Sequence, residues 1–426
     1  MKWVWLGAAA VAAAHTPIGS AGGARGSLEP LPQSFCSPVV YQGKGQPRFL
    51  IASDLPVHAF EFGETTAQMQ KAIQFVLARH RFRAGKFRVA YQACDDSNAE
   101  TGQGDLAKCA ANSKAYAQNA SVVAVIGTFS SRCSGAELPT LNRTATGPLA
   151  LVSPSNTNVG LTHKGPGTEP GEPGRYYPSG RRSFARVISA DDAQGAADAA
   201  LVVRLHRHRV FVLDDGEDYG FTVAVPFLHA ARLLHLKVVG RASWADDQTN
   251  FTTLARRVAR SKPDTVFLAG FACPACAALV KQLHAALGPR PVLIGPDGWN
   301  PDDLSNPTGP ATAGMYVTIP GLPPSRMGAL GRQIGDRFGK GRLGSGGPPY
   351  AAEAAEVVIS AIAHSTGTRS SVTAQLYKLR YRTGILPALR FNRSGDPSYN
   401  PVSAFRVTAK KAKLVQVVSA APKLIR

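Results

Sequence analysis

Seven residues carry polar or aromatic chemistry just beyond short apolar runs: Ser131, Ser155, Asn156, Thr157, Tyr219, Phe271 and Asp297. The first four follow Val122 to Ile126 and Leu149 to Val152, within Gly127-Thr128-Phe129-Ser130-Ser131 and Ser153-Pro154-Ser155-Asn156-Thr157-Asn158. Hydroxyls and backbone N–H groups at helix starts suit a carboxylate, because a helix N-terminus carries partial positive charge. The other three follow runs ending at Leu213, Ala269 and Ile294. Asp297 offers a carboxylate to an ammonium group, and Tyr219 and Phe271 offer an aromatic wall to an apolar or cationic group. An anion pocket facing a cation pocket is how a zwitterion bridges a cleft. Taken singly, each piece has an ordinary explanation: a Ser or Thr after a strand caps the next helix, and Asp297-Gly298 makes a turn. Their joint placement is what points to a ligand.

The chemistry that would make an enzyme is largely missing. The sequence contains no G-x-x-x-x-G-K-[ST], H-E-x-x-H or G-x-S-x-G pattern. Gly339-Lys340-Gly341-Arg342-Leu343-Gly344 matches G-x-G-x-x-G, but it follows a helical stretch and lacks the strand that a dinucleotide site requires. His206 and His208 stand among Arg204, Arg207 and Arg209 as an exposed basic edge. Cys273-x-x-Cys276 has no second ligand pair to complete a structural zinc site, so a local disulfide at a helix start is the expectation. No catalytic residue, metal or cofactor is expected.

The N-terminus places Lys2 before an apolar stretch from Val4 to Ala14, followed by small residues at Gly19, Ser20 and Ala21. These are the parts of a secretory signal, so residues 1–21 read as a leader and the mature protein as exported. An oxidising exterior makes Cys36, Cys94, Cys109 and Cys133 disulfide candidates, with their pairing open among the three possibilities. The net charge of +20 favours polyanions in general. Lys and Arg are nevertheless spread along the chain, with only a modest cluster at Lys410, Lys411 and Lys413. No aromatic-interleaved basic stripe accompanies them, and nucleic acid is not an expected partner.

The elements that must hold the seven residues follow a regular rhythm. Phe49 to Ala52, Val122 to Ile126 and Leu149 to Val152 are continuous apolar runs, and Phe87, Val89 and Tyr91 alternate. Between them Met69, Ile73, Val76 and Leu77 recur at helical spacing. Continuous apolar strands joined by helices imply a parallel sheet covered on both faces. A Gly/Pro-rich interval from His163 to Ser183 reads as a surface loop. The rhythm then restarts with strands at Val210 to Leu213, Val238-Val239, Val266 to Ala269 and Val292 to Ile294, and helices at Phe221 to Leu236, Phe251 to Arg260 and Ala275 to Leu287. Helices at Gly328 to Phe338, Ala351 to Ala363 and Val372 to Leu379 come next, then strand-like Ala388 to Phe391 and Ala404 to Val407. The fold class is α/β, with two doubly wound lobes.

The segment Val125-Ile126-Gly127 with Ser130-Ser131, then Leu151-Val152-Ser153-Pro154 and Thr157-Asn158, resembles the leucine/isoleucine/valine-binding proteins of ABC importers. The likeness continues through Arg186-Val187-Ile188, Asp191-Asp192, Gln194-Gly195, Asp218-Tyr219-Gly220, Gly295-Pro296-Asp297-Gly298 and Gly314-Met315-Tyr316-Val317, in order over roughly residues 48 to 407. The resemblance implies the type I periplasmic-binding fold, with two α/β lobes, three crossing strands and hinge closure on a ligand. It places Ser131 on the ligand carboxylate, Ser155 and Thr157 in the second donor loop, and Asp297 on the α-ammonium. Tyr219 matches a cleft tyrosine, and Phe271 falls near another aromatic position.

Departures from the pattern bear on specificity. Pro56 to Phe62 aligns poorly, with Phe60 or Phe62 available as the aromatic of the first loop. Asn156 is larger than the residue usual there, Asp297 is one methylene shorter than Glu, and the Gly/Pro loop and the C-x-x-C are additions. The expected organisation is a leader (1–21), an N-terminal extension (22–47), lobe 1 (48–187 with 322–382), lobe 2 (188–321 with 383–415) and a tail (416–426). The expected function is capture of an amino acid or related solute by a monomer that delivers it to ABC permease subunits. The alternatives are a ligand-sensing receptor domain on the same fold, a Cys-dependent enzyme, and a basic surface-adhesion protein.

Overall fold

The computed structural model describes residues 28–60, 63–100, 103–245, 247–273, 275–300, 312–339, 347–408 and 411–425. The expected leader, Phe62 and most of the G-x-G-x-x-G run lie outside them.

Two sheets organise the chain. The first contains β1 (Phe49–Asp54), β2 (Arg83–Ala84), β3 (Phe87–Cys94), β6 (Val122–Gly127), β7 (Ala150–Ser153) and β8 (Phe184–Arg186), in the order β2-β3-β1-β6-β7-β8. All its pairings are parallel except β2 with β3. A separate short pair joins β4 (Ser97–Asn98) to β5 (Gln103–Gly104). The second sheet has β9 (Arg209–Asp214), β10 (Lys237–Ser243), β11 (Thr265–Ala269), β12 (Val292–Gly295), β13 (Tyr316–Pro320), β14 (Pro401–Val407) and β15 (Ala412–Ser419), in the order β10-β9-β11-β12-β13-β14-β15. It is parallel up to β13, after which β14 and β15 are antiparallel.

Strand periodicity explains why the apolar runs are unbroken. In β1, Ile51 points into a core with Val89, Ile126 and the helices Gly63–Arg79 and Pro348–Ala363, while Leu50 and Ala52 enter the opposite core with Val125, Leu151 and Tyr116. Side chains alternate across a strand, so a strand covered on both faces has no solvent-facing position, and the polar residues of β1, Ser53 and Asp54, fall at its end. The second sheet divides the same way. Phe211 and Leu213 face the helices Thr252–Arg260 and Cys276–Leu287, and Val210 and Val212 face Asp191–Arg204 and Asp218–Leu233. Each buried Leu, Ile, Val or Phe contributes roughly 1.5–3 kcal/mol, so both halves have cores of their own. This is the type I periplasmic-binding architecture, two α/β lobes of doubly wound sheets.

The chain passes between the lobes after β8, after β13 and before β14. Several expected boundaries move. Leu31 and Cys36 pack in the first lobe and Val40 bridges Tyr91, so the described part of the N-terminal extension belongs there. Ile385, Leu389 and Phe391 pack in the first-lobe core, and β15 runs on to Ser419. The expected boundaries at 383 and 415 are therefore too early. Ala388 to Phe391 forms isolated bridges, Tyr381 with Leu389 and Phe391 with Pro397, instead of a strand. The Gly/Pro interval is more than a surface loop. Glu172, Tyr176 and Tyr177 are buried, with the Tyr176 hydroxyl donating to Glu172 at 2.6 Å. All six cysteines pair, as Cys36–Cys94, Cys109–Cys133 and Cys273–Cys276.

Candidate functional site

The first-lobe wall is built from two loops that fasten each other. Ser131 opens the helix Ser131–Leu141, and its Oγ accepts the N–H groups of Thr157 (3.2 Å) and Asn158 (3.3 Å). The hydroxyl hydrogen is what that side chain retains for a further acceptor. Asn156 is fully buried: Nδ2 donates to the carbonyls of Thr128 and Phe129, both at 3.0 Å, and Oδ1 accepts from Ser134 at 2.6 Å. Asn156 is therefore a link between the loops and does not line the cleft. A carboxamide suits this corner because it satisfies inward carbonyls with one end and a hydroxyl with the other. Ser155 Oγ donates to the Phe129 carbonyl at 3.0 Å, so this side chain too is committed to the protein. Beneath the loop, buried Arg186 donates to the carbonyls of Asn156 (3.1 Å) and Asn158 (2.9 Å) and pairs with Asp396 at 2.9 Å.

The second-lobe wall is acidic and aromatic. Asp297 begins a 3-10 turn directly after β12, and its Oδ1 accepts from the Tyr219 hydroxyl (2.8 Å) and Gln194 Nε2 (2.9 Å). The Tyr219 and Phe271 rings lie 4.4 Å apart at 36°. Phe271 is 39% exposed, and its N–H donates to Asp215 at 2.9 Å, which holds the turn after β11. Glycine is required there: Gly270 has φ 143°, and a Cβ on Gly298 would stand 2.4 Å from the Gly270 carbonyl. Burial and the Asp297 carboxylate push the Tyr219 phenol well above its ordinary range, which keeps it a hydrogen-bond donor.

The walls meet at Asp191, the first residue of the helix Asp191–Arg204. Its N–H donates to the Thr157 carbonyl at 2.9 Å. Burial pushes its carboxyl up to about 7 against the Thr157 hydroxyl, and nearby Asp297 raises it further. Ser131 thus touches Thr157, Thr157 touches Asp191, and Asp191 and Tyr219 surround Asp297. A second interlobe tie joins Arg132 to Asp218 at 3.2 Å, both largely exposed. Phe60, considered for the first loop, is 79% exposed. Residue patterning singled out Asp297, Tyr219 and Phe271, whereas Asp191 entered only as part of a motif because an acid at a helix start is ordinary.

Elsewhere, an open recess of about 620 Å³ is lined by residues including Thr65, Gln68, Asn300, Phe338 and Tyr350 and holds none of the seven. It lacks paired opposite charges, so the convergence at Asp191 identifies the site better than volume does. Asp96 lies beside the sulfurs of Cys109 and Cys133, but these are bonded to each other and offer no thiolate to a metal.

Two hinged α/β lobes with convergent polar loops at the strand ends define a solute-binding protein. A family model for periplasmic binding proteins matches residues 81–412, and the chain belongs to that family. The leucine-specific-binding protein of Salmonella typhimurium is 25% identical over 173 residues, a match spanning 40% of this chain and 42% of that relative. A leucine-binding protein from Thermotoga maritima superposes with TM-score 0.72 at 20% identity, over 88% of this chain and 99% of that one. A solute-binding protein from R. palustris in complex with benzoate gives 0.68 at 14% identity, over 88% and 97%.

Proposed function

We propose that this protein is exported, captures an amino acid or closely related zwitterion between its lobes as a monomer, and delivers it to the permease of an ABC importer. The observation that supports this reading is the run of contacts from Ser131 to Thr157, from Thr157 to Asp191, and from Tyr219 to Asp297, whose charge acts on Asp191. A carboxylate has hydroxyl and N–H donors on the first-lobe side, and an ammonium has carboxylates on the second. Benzoate, the ligand in one similar structure, brings no cation, and would leave the second-lobe acids uncompensated in a closed, low-dielectric cleft. Leucine, named for two of the similar proteins, brings both charges and an apolar side chain for the Tyr219–Phe271 wall.

A thermal-shift screen of amino acids, amides and aromatic acids tests the reading. A ligand at 100 times its Kd stabilises by about 2.7 kcal/mol. Asp297→Ala is expected to abolish the response to every amine-bearing ligand. A full response from that variant would rule out this site.

A further inference from the structure

We infer that the pole of the second lobe opposite the cleft is a docking surface for an anionic phospholipid bilayer. The cleft residues follow the carboxyl ends of strands, Phe271 after β11 and Asp297 after β12. Strands β9 to β13 are parallel, so their amino ends all emerge at the other pole. The turn between β14 and β15 arrives there too, since Arg406 lies across from Tyr316 and Val407 from Ala412.

Positive charge collects at that pole. Residues 204–209 lead into β9, 232–237 into β10 and 260–264 into β11, and 406–413 span the β14–β15 turn. Lysine or arginine recurs in all four segments, and Asp264 is their one acid. Asp264 is occupied by the N–H groups of His208 (2.8 Å) and Arg209 (3.0 Å). The Arg209 guanidinium ends on the carbonyls of Ser261 and Lys262, which carry no charge to cancel it. Exposed Arg204, Lys237, Lys262 and Lys411 have neither a carboxylate nor a ring partner among the described residues. The first lobe occupies its cations instead: Arg48 lies over Phe49 and Phe87, Arg79 over Phe75, and His80 meets Glu356.

Helix C-termini favour cations by themselves, but they do not explain the exposed apolar side chains among these. Val203 (38% exposed) and Leu233 (44%) lie in the last turns of the helices Asp191–Arg204 and Asp218–Leu233, and Val238 (36%) follows Lys237 in β10. Lys237 pairs with Arg209, and Val238 with Val210, which packs against those same helices, so apolar and basic groups share one edge. Cations alone suit any polyanion. Cations beside exposed aliphatic groups suit a membrane interface, where headgroup phosphates meet the first and the acyl boundary the second. All six cysteines are paired, so none of them holds a lipid. Contact through this pole would keep the protein at a membrane with its cleft open to solute.

The test is co-sedimentation of the exported, disulfide-bonded protein with vesicles of phosphatidylcholine, alone or mixed with phosphatidylglycerol. Binding should require phosphatidylglycerol and weaken at least about tenfold between about 0.1 M and about 0.5 M salt. Lys237→Gln with Lys262→Gln should weaken it roughly twentyfold to thirtyfold, about fivefold for each charge removed. Lys411→Gln with Lys413→Gln carries the same expectation should the first pair unfold, as ligand-free melting temperatures will show. Arg81→Gln with Arg83→Gln, in the other lobe, should change affinity by less than about twofold. Val203→Ser with Leu233→Ser should weaken vesicle binding about tenfold and leave binding to soluble polyphosphate unchanged. Amino-acid affinity should be the same in all of these variants, which keeps this inference separate from the reading of the cleft. Equal binding to phosphatidylcholine alone, or full binding by the lysine variants, overturns the proposal. Full vesicle affinity in the serine variant, with polyphosphate bound as tightly as vesicles, assigns the pole to a soluble polyanion instead. A concentration-dependent dimer that the serine variant abolishes while vesicle binding persists assigns it to a second copy, and again the proposal fails.

Discussion

Each lobe buries a cluster of acids, and the two clusters do different things. In the first lobe Asp54, Asp96 and Glu137 are sealed within the fold beside Tyr116 and the Cys109–Cys133 disulfide. Asn112 Nδ2 donates to both oxygens of Asp54, at 3.0 and 3.1 Å, and the Glu137 carboxyl faces Asp54. Burial and mutual repulsion push Asp96 and Glu137 well above the ordinary carboxylate range, which favours their protonated forms. In the second lobe Asp191 and Asp297 lie where the lobes meet, at the site proposed above for a ligand's ammonium. Burial raises a carboxyl in both places; the difference is location, sealed inside one lobe or set at the junction of the two.

The largest expected effect comes from the pair standing between the clusters. Arg186→Met leaves buried Asp396 with His163 as its remaining ionic partner and should cost roughly 3 kcal/mol in urea unfolding. Ligand affinity should fall as well, because the guanidinium supports the donor loop at Asn156 and Asn158. Unchanged affinity in a folded variant would separate the hinge from the site.

Removing the cover of the first cluster is next. Cys109→Ser with Cys133→Ser opens a link of sequence separation 24 and should cost about 3 kcal/mol. Ligand binding by the folded fraction should be preserved, and a change in Kd would blur the division between the lobes.

The proton-held cluster makes a pH prediction of intermediate size. Its folded-state pKa values lie above the unfolded ones, so the folded chain binds more protons in the window between them. The stability these groups contribute is complete at acid pH and is lost as pH rises through the raised values. The decline should begin near the ordinary carboxylate range and continue past about 7, where Asp191 and Glu353 also titrate. Each group adds a slope of up to about 1.4 kcal/mol per pH unit. Asp396, held low by Arg186 and His163, acts in the opposite sense in strong acid. Glu137→Gln should flatten the neutral-to-alkaline decline of the melting temperature, and an unchanged slope would refute the proton-held cluster.

The smallest change in stability should come from the open cluster. Asp297→Asn removes one of several neighbouring acids and should shift ligand-free stability by less than about 1 kcal/mol, in the stabilising direction, while sharply weakening amine binding. Substantial unfolding would make Asp297 a structural residue like Glu137.

The architecture was legible because a parallel sheet buried on both faces leaves unbroken apolar runs such as Val122 to Ile126. The acid and aromatics of the second wall were legible because Asp297, Tyr219 and Phe271 follow strand ends directly. Asn156 was misread: spacing places it in the donor loop, but only coordinates show its amide turned inward to the carbonyls of Thr128 and Phe129. The first acid cluster has no local signature, since Asp54, Asp96 and Glu137 are brought together only by β1, β3 and the helix Ser131–Leu141. Ala388 to Phe391 looked like a strand because short apolar segments that fill a core with only isolated bridges have the same composition.

The three disulfides each stay within one lobe: Cys36–Cys94 and Cys109–Cys133 in the first, Cys273–Cys276 in the second. These covalent links can therefore toughen each jaw without welding the mouth. Between the jaws near the cleft stand reversible ties such as Arg132–Asp218, which water and salt can loosen. Durability and stroke are separated by where the covalent staples fall.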